Sequence, residues 1–318
     1  MATQAIAGAV NKVLAAALPG LVKPIGMGVY NSSPVLKKII KTNRRPWEGE
    51  SLQGAVVTST YGKASAYAND DTVSTTAVEP FTAVQWELGG YQVSINIPGQ
   101  KIRKVQSSAR KLFELAKAET TLAMLDMYEL MSTHLFQATN EPKGIISLST
   151  MSDASTTLAG LAASSTWGGS TTASGAFASQ GKADLMTLYL QLSRYQGFTT
   201  TGGEDTPDLC VTRLTEWQLY WASLESSMRY APNGPGDVKM QVTFMGNPVM
   251  KDEHVAAGVW YMLNTDHLWL YVMDGADFEL MPETRDTAQP DMYARAVIWN
   301  GQLICDSRRY LGKLTGLS

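Results

Sequence analysis

The side chains that most often perform acid–base, nucleophilic or metal chemistry are few in this chain. Among its 318 residues are three histidines and two cysteines, which are His134, His254, His267, Cys210 and Cys305. None of the five stands at the short, regular spacing of zinc ligands. The sequence also lacks the G-x-S-x-G nucleophile elbow and the G-x-x-x-x-G-K-S/T phosphate loop. We therefore predict no catalytic residue, no metal site and no cofactor, and a protein that is not an enzyme.

Neighbouring carboxylates occur as Asp70-Asp71 and Asp252-Glu253. Both pairs lie in turn-rich stretches, where acidic side chains are usually exposed to water rather than paired for catalysis. His254 follows the second pair, but no further ligand stands at a suitable distance along the chain. We expect both pairs to lie at the surface.

The basic residues are clustered. Ten of the 26 lysines and arginines fall in two windows that contain no acid: Lys37, Lys38, Lys41, Arg44 and Arg45, then Lys101, Arg103, Lys104, Arg110 and Lys111. The net charge of −3 makes these windows stand out. A basic face can contact phosphate without reading sequence. It can equally pair with acids on a neighbouring subunit, such as Asp70 and Asp71, and both interpretations stay open.

Charged residues make up only 17% of the chain, against about 25% in ordinary soluble domains. Interface cores are depleted in charge, so this composition fits a surface that largely contacts other protein, or one that is simply polar. Two cysteines are too few to cross-link a secreted domain of this size, which favours a reducing compartment. No basic leader and no apolar run of about 18 residues occurs, so we expect a soluble protein made inside the cell, with no membrane partner.

A long β-arm is predicted from residues 52–97. They alternate as β-strands do, in two runs joined by a turn-rich stretch. The first run places Tyr61, Lys63 and Tyr67 on one face, and the second bends at Gly89-Gly90. Because an isolated two-stranded hairpin is marginal in water, such an arm must be supported from outside its own subunit.

A single long helix is predicted over residues 107–137, where an apolar stripe recurs at i, i+3 and i+4 without Gly or Pro. At 1.5 Å per residue it would run about 45 Å, and Pro142 forbids its continuation. A shorter amphipathic helix is predicted over residues 5–18, which could pack on its own domain or dock on a partner.

The middle of the chain begins with a segment, residues 144–181, whose one charged residue is Asp153. Its part at 161–181 is rich in Ser, Thr and Gly, which predicts a long loop or a loosely ordered hairpin there. Helices are predicted over 182–196 and 215–230, with a short buried strand between them at 207–212.

The last third of the chain is β-rich. In its final stretch, Asn300-Gly301 stands between two apolar runs. This dipeptide is typical of a type I′ turn, because both central residues of that turn need positive φ. We therefore expect the chain to end on an ordered β-hairpin.

The order of these parts resembles that of the major capsid proteins of tailed double-stranded DNA bacteriophages, which have the Hong Kong-phage-type capsid fold. Three local stretches carry the resemblance: EPKGIISL after the long helix, VTFMGNPVMKDE followed by WYMLNTDHLWLYV, and the ending IWNGQLICDSRRYLGKLTGL. The likeness covers nearly the whole chain after residue 30, and its strength lies in the serial order.

The resemblance implies an α+β fold. It would contain an N-terminal arm, an extended β-hairpin known as the E-loop, a peripheral domain with a long spine helix and a β-sheet, and an α/β axial domain. A C-terminal hairpin would return to the peripheral domain. The corresponding ranges are 1–46, 47–98, 99–140, 141–286 and 287–318.

The resemblance also implies self-assembly, through hexamers and pentamers, into an icosahedral phage head that encloses double-stranded DNA. Such a protein is made in the cytoplasm of a host bacterium and resides in the virion. Its partners would be further copies of itself, a scaffolding protein, a portal, in some relatives a decoration protein, and DNA held without sequence specificity. Contacts between subunits would involve the arm residues Tyr61, Lys63, Tyr67, Asp70, Asp71 and Trp86. Basic residues that face DNA or a neighbour would be Lys37, Lys38, Lys41, Arg44, Arg45, Lys101, Arg103 and Lys104.

Two departures and two alternatives accompany this interpretation. Many relatives carry a charged, helical scaffolding extension, whereas this chain begins almost at the arm. Either a separate scaffolding protein exists or the chain is a processed form, and the Met1 start favours the first. Some relatives cross-link an arm lysine, but beside Lys63 no buried acid catalyst can be assigned. An encapsulin-like compartment would share the same fold. A carbohydrate-binding phage protein is the other alternative, although Trp217 and Trp221 share a helix face that predicts core packing.

Overall fold

The fold was analysed in a computed structural model. The structure describes residues 33–59, 62–66, 76–105, 109–164, 167–193, 206–224, 242–282, 284–285 and 292–318. The predicted helix at 5–18 lies outside these residues, as do Tyr61, Tyr67, Asp70 and Asp71. Nothing described bears on those predictions.

Helices and strands are mixed along the whole chain. The helices are α1 (Pro34–Thr42), α2 (Gly99–Val105), α3 (Ala109–Phe136), α4 (Leu148–Met151), α5 (Lys182–Ser193) and α6 (Leu214–Ser223). A π-helical turn (Phe177–Gly181) precedes α5, and 3₁₀ turns occupy Thr265–His267 and Arg308–Tyr310. The strands of the first half are β1 (Arg44–Trp47), β2 (Ser51–Val57), β3 (Phe81–Glu87), β4 (Gly89–Pro98), β5 (Ser170–Ala173) and β6 (Leu209–Thr212). Those of the second half are β7 (Thr243–Phe244), β8 (Asn247–Lys251), β9 (Val259–Leu263), β10 (Leu268–Met273), β11 (Glu279–Leu280), β12 (Thr284–Arg285), β13 (Met292–Cys305) and β14 (Leu311–Thr315).

The long helix predicted from the apolar stripe is confirmed as α3. Its 28 residues span about 42 Å. The inward face carries Met127, Met131 and Leu135, each at most 2% exposed. This face packs on β4, so the helix lies along the first of two large sheets.

The first sheet is organised by β13. Strand β4 pairs with residues 292–301 of β13, so β10, β11 and β12 must share its opposite edge. Strand β1 adds to β10 in parallel. The strands β10 to β12, which the sequence assigned to the axial range 141–286, therefore belong to this sheet.

The predicted terminal hairpin is wrong. Strand β13 runs unbroken through Asn300-Gly301, and both of its edges are already paired there: Gly301 lies opposite Gly89 on one side and Val272 on the other. A Cβ added to Gly301 would lie 2.6 Å from the carbonyl oxygen of Tyr271. The glycine thus serves close packing between strands rather than a turn, and the chain leaves this sheet only after Cys305, to form β14 in a second sheet.

The second sheet has the order β5-β14-β9-β6-β8-β7. Strand β14, from the end of the chain, lies between β5 and β9. The Ser/Thr/Gly-rich segment 161–181 is predicted as a loop or a hairpin, but it supplies the parallel edge strand β5 and the π-helical turn. The buried strand predicted at 207–212 is confirmed as β6, whose four residues are all buried. Among the described residues, no helix is both long enough and apolar enough to cross a membrane.

Candidate assembly surfaces

The arm is a two-stranded hairpin whose inner half rests on its own subunit. Strands β2 and β3 pair antiparallel from Ser51 opposite Glu87 to Val57 opposite Phe81. Near the base, Val84 and Trp86 are 4% and 3% exposed and belong to the main hydrophobic cluster. The prediction that the side chain of Trp86 contacts a neighbouring subunit is therefore corrected: the alternation was right, but the inward face packs within the chain.

The outer half of the arm is exposed. Val57 and Phe81, which lie directly opposite each other, are 57% and 65% exposed. Two large apolar side chains paired in water at this level are unfavourable in a free subunit and typical of a contact surface. Lys63, farther along the arm, is half-buried.

The second β-run of the predicted arm divides between two places. Only β3 belongs to the hairpin, because the chain turns at Leu88 and continues as β4 along β13. The strand is thus interrupted at Leu88, directly before the predicted bend at Gly89-Gly90, and residues 89–98 are part of the first sheet. The arm is shorter than the alternation suggested.

Several basic residues of the first window have partners within the chain. Lys38 pairs with Asp208 at 3.5 Å, and Arg44 pairs with Asp277. The guanidinium of Arg45 lies 3.4 Å from the ring centroid of Trp269. The sequence offered phosphate or a neighbouring subunit as partners. These acids come from more than 150 residues away along the chain, which no local pattern reveals. Of the window's other members, Lys37 is half-buried and Lys41 is exposed.

The second window lies on α2 and the start of α3. Lys101 pairs with Glu119 of α3 at 3.0 Å, and Arg103 and Lys104 are exposed. Lys101 is itself 56% exposed at its side chain, so this pair contributes little to stability.

The carboxylate pair at 252–253 is divided between interior and surface. Asp252 is 3% exposed, which corrects the surface prediction for this residue. It accepts hydrogen bonds from Ser33 Oγ and the backbone N–H of His254, and lies 2.9 Å from His254 Nδ1. Glu253 is exposed, 3.6 Å from Arg213. The described residues contain no group of three or more His, Cys, Asp and Glu side chains suited to a metal ion.

His134 makes a buried contact that the sequence did not indicate. Its Nδ1 lies 2.9 Å from the Tyr91 hydroxyl, which also accepts a hydrogen bond from the backbone N–H of Ile145. Burial raises the pKa of Tyr91 to about 12 and lowers that of His134. The hydroxyl therefore keeps its proton, and the imidazole favours its neutral form.

Arg308 is the largest feature that sequence reasoning missed. Its side chain is 0% exposed and donates to the carbonyl oxygens of Thr150, Met151, Asp153 and Thr156 at 2.5–3.0 Å. Lys313 adds a contact of 2.7 Å to the carboxylate of Asp153. These two cations of the chain's end organise residues 148–156, so the RRYLGK ending has a structural role.

The tryptophans of α6 pack rather than line a ligand site. Trp217 and Trp221 are half-buried and stack at 5.7 Å with an interplanar angle of 5°, and the ammonium of Lys251 lies 4.3 Å from the Trp217 ring centroid. Trp260 is 0% exposed. Stacked rings already covered by a cation offer little face to a sugar, which supports the core interpretation.

These features together define the fold. The hairpin arm, the long helix along a sheet and a second mixed sheet make up the Hong Kong-phage-type capsid fold, as the resemblance implied. No protein-family profile matches the chain, and no curated protein matches it in sequence.

Solved structures carry the comparison. The chain is similar to the capsid of a native GTA particle, with 14% identity, a TM-score of 0.61, and coverage of 94% of this chain and 96% of that one. It is similar to the Cyanophage A-1(L) capsid protein, with 12% identity, a TM-score of 0.63, and coverage of 93% and 96%. It is also similar to the SrpI encapsulin of Synechococcus elongatus PCC 7942, with 10% identity, a TM-score of 0.57, and coverage of 93% and 91%. At these identities the comparisons establish the fold.

Proposed function

We propose that this protein is a major capsid protein, whose copies assemble through hexamers and pentamers into an icosahedral phage head around double-stranded DNA. It has no enzymatic activity and acts as a structural component of the virion, assembled in the cytoplasm of a host bacterium. The observation that carries the proposal is the projecting arm, with Val57 and Phe81 paired and exposed at its outer half, on a fold shared with phage shell proteins.

We assign the parts of the chain to domains by their sheets. The first sheet with α3 is the peripheral domain, and the second sheet with α5 and α6 is the axial domain. The axial helices expose apolar residues on charge-poor faces, among them Leu190 at 57% and Leu219 at 39%. Such faces suit contacts between subunits around a capsomer axis.

The proposed partners divide by chemistry. Further copies would cover the apolar outer arm and Lys63, and would also contact Tyr61, Tyr67, Asp70 and Asp71. The exposed cations Lys41, Arg103 and Lys104 would meet DNA or acids of a neighbour. A scaffolding protein, a portal and a decoration protein complete the set as family-based expectations.

The arm can be tested without disturbing the subunit's interior. Gly54 and Val84 lie opposite each other in the hairpin, so residues 55–83 can be replaced by an Asn-Gly turn while Trp86 is kept. We expect a folded subunit with an unchanged circular dichroism spectrum that forms no closed shells in negative-stain images. Gln92→Ala, at an exposed position of β4, is the control and should assemble normally. Closed shells at normal yield from the shortened arm would refute the assignment.

An encapsulin-like compartment is the second candidate, because the SrpI encapsulin is among the similar structures. Purified particles distinguish the two by content. Nuclease-protected DNA supports a phage head, whereas a co-purified enzyme in place of DNA supports a compartment.

A further inference from the structure

We propose that the base of the arm is a rigid joint in which Gln302 and Tyr91 are positioning residues, and that the arm bends beyond Val84 instead of at its attachment. The joint is the place where three segments cross: residues 87–91, residues 141–146 and residues 300–302. Its relevance to assembly rests on the proposed function, whereas its rigidity is a property of the single subunit.

The backbones of the three segments touch. A Cβ added to Gly89 would lie 2.6 Å from the carbonyl oxygen of Gly144 and 3.1 Å from that of Gly301. A Cβ added to Gly144 would lie 2.8 Å from the Tyr91 hydroxyl and 2.9 Å from His134 Nδ1. Real Cβ atoms do not approach other heavy atoms this closely. A side chain at Gly89 would therefore force the backbone segments apart, and one at Gly144 would displace the side chains of Tyr91 and His134. Two such contacts at one crossing leave little room for a hinge.

Gln302 ties the three segments together. Its side chain belongs to a residue only 4% exposed, and its Oε1 accepts a hydrogen bond of 2.7 Å from the backbone N–H of Ile146. Its Nε2 donates to the carbonyl oxygens of Glu87 at 2.9 Å and Gly144 at 3.4 Å. One amide group thus holds the start of the arm base, the segment after α3 and its own strand. Loss of the amide would leave these buried backbone groups without a partner.

Tyr91 makes the second tie. Its hydroxyl accepts from the backbone N–H of Ile145 at 3.0 Å and is hydrogen-bonded to His134 Nδ1 at 2.9 Å, while its ring lies 5.8 Å from that of Trp299. The backbone N–H of Gly90 also donates to the carbonyl oxygen of Lys143 at 2.9 Å. The arm base is therefore fixed to the end of α3 and to β13 at the same time.

The outer arm has a different character. One face of the outer ribbon, formed by Gln53, Ala55, Val57, Phe81 and Ala83, is exposed on both strands. On the other face beyond Val84, Val56 is only half-buried against the main hydrophobic cluster, opposite the half-buried Thr82. A two-stranded ribbon held by so few packed side chains twists and bends more easily than the base, where Val84 and Trp86 are buried. Movement of the arm tip relative to the subunit is thus expected in the ribbon, with the joint as a fixed mount.

Hydrogen exchange on the free, full-length subunit tests the joint directly. Peptides covering residues 86–92 and 141–147 should exchange slowly, and those covering 53–57 should exchange quickly. Gln302→Ala should speed exchange at Ile146 by about two- to tenfold, the range expected for one net hydrogen bond, and Tyr91→Phe should do the same at Ile145. Gln302→Met, similar in volume, serves if the alanine variant does not fold. Gln92→Ala, on the exposed side of β4, should change neither peptide.

The outcomes separate the joint from the proposed function. Fast exchange of residues 86–92 and 141–147 in the normal subunit would overturn the joint. So would variants that exchange faster at Ile145 or Ile146 but form shells of normal size and uniformity, since the joint would then not direct the arm. Irregular or open shells from variants that remain folded would support it. Protected joint peptides in a chain that never assembles would keep the rigid joint and remove the capsid function.

Discussion

Protonation of Asp153 should destabilise the subunit by an amount that can be worked out from its surroundings. Burial alone raises the pKa of this carboxyl, but hydrogen bonds from Lys313 and Ser155 outweigh that effect and lower the pKa from 3.8 to about 2. The Lys313 contact is 2.7 Å, and the two side chains are 10% and 21% exposed. The charged pair therefore stabilises the folded state relative to the unfolded chain.

The magnitude and its sign follow from proton linkage. One pKa unit corresponds to about 1.4 kcal/mol, so a shift from 3.8 to about 2 is equivalent to at most about 2.4 kcal/mol. Partial exposure of Asp153 reduces this to about 1–2 kcal/mol. Because the folded-state pKa is the lower one, the stabilisation is fully present above pH 3.8 and is lost as the pH falls through about 2.

Asp153→Asn is the perturbation, and urea denaturation of the free subunit is the assay. At pH 7 we expect the free energy of unfolding to fall by about 1–2 kcal/mol relative to the normal protein. At pH 2 the two proteins should differ far less, because the normal carboxyl is then about half protonated in the folded state and almost fully protonated in the unfolded chain. Asp126→Asn, at an exposed position of α3, is the control and should cost little at either pH. An equal loss at both pH values, or no loss at pH 7, would refute the reasoning.

Two further predictions concern the first sheet. Gly301→Ala places a Cβ 2.6 Å from the carbonyl oxygen of Tyr271 and should lower the free energy of unfolding by about 1–3 kcal/mol. The control is Gly54→Ala, whose Cβ would meet Val84 at an ordinary 3.4 Å and should leave the free energy of unfolding nearly unchanged. Denaturation midpoints measure both effects, and equal losses of stability would contradict the packing argument. His134 should be neutral at pH 7, because burial lowers its pKa, and we predict that its Nδ1 accepts from the Tyr91 hydroxyl, which leaves the ring proton on Nε2. Nitrogen chemical shifts of labelled histidine report the tautomer, and the stability that depends on His134 should decline as the pH falls below 6.5, the ordinary value; a protonated Nδ1 at pH 7 would contradict the assignment.

The sequence predicted those helices and strands whose apolar residues follow a regular spacing over a short stretch of chain. Helix α3 was predictable because its apolar stripe continues for seven turns without a helix-breaking residue. The short strand β6 was predictable from its run of apolar residues, and all four of its residues are buried. The capsid fold followed from the order of such parts. The inward alternation of Val84 and Trp86 was also readable, although the partner of that face was not.

The missed features depend on residues distant in sequence. Asn300-Gly301 is a strong turn signal on its own, but pairing of both edges of β13 overrides it, and the partners lie near residues 89 and 272. In the sequence, Arg308 cannot be distinguished from an ordinary surface arginine. Only the fold brings the carbonyl groups of residues 150–156 around its side chain. Among the candidate assembly residues, Lys38 was predicted to face DNA or a neighbouring subunit. Its partner in the structure, Asp208, stands 170 positions away in the sequence, so no acid near Lys38 indicated the pair. Charge pairing across such distances leaves no periodic trace.

The position of β13 and β14 has a consequence for the order of events during synthesis. Both strands come from the last 27 residues, yet β13 joins β4 to β10 and β14 joins β5 to β9. A growing chain thus holds the outer strands of two sheets without the strands that connect them, and neither core can close until residues 292–315 have been made. Incomplete chains would therefore lack the folded surface that another copy could bind, and under the proposed function they would not be incorporated into an assembling shell.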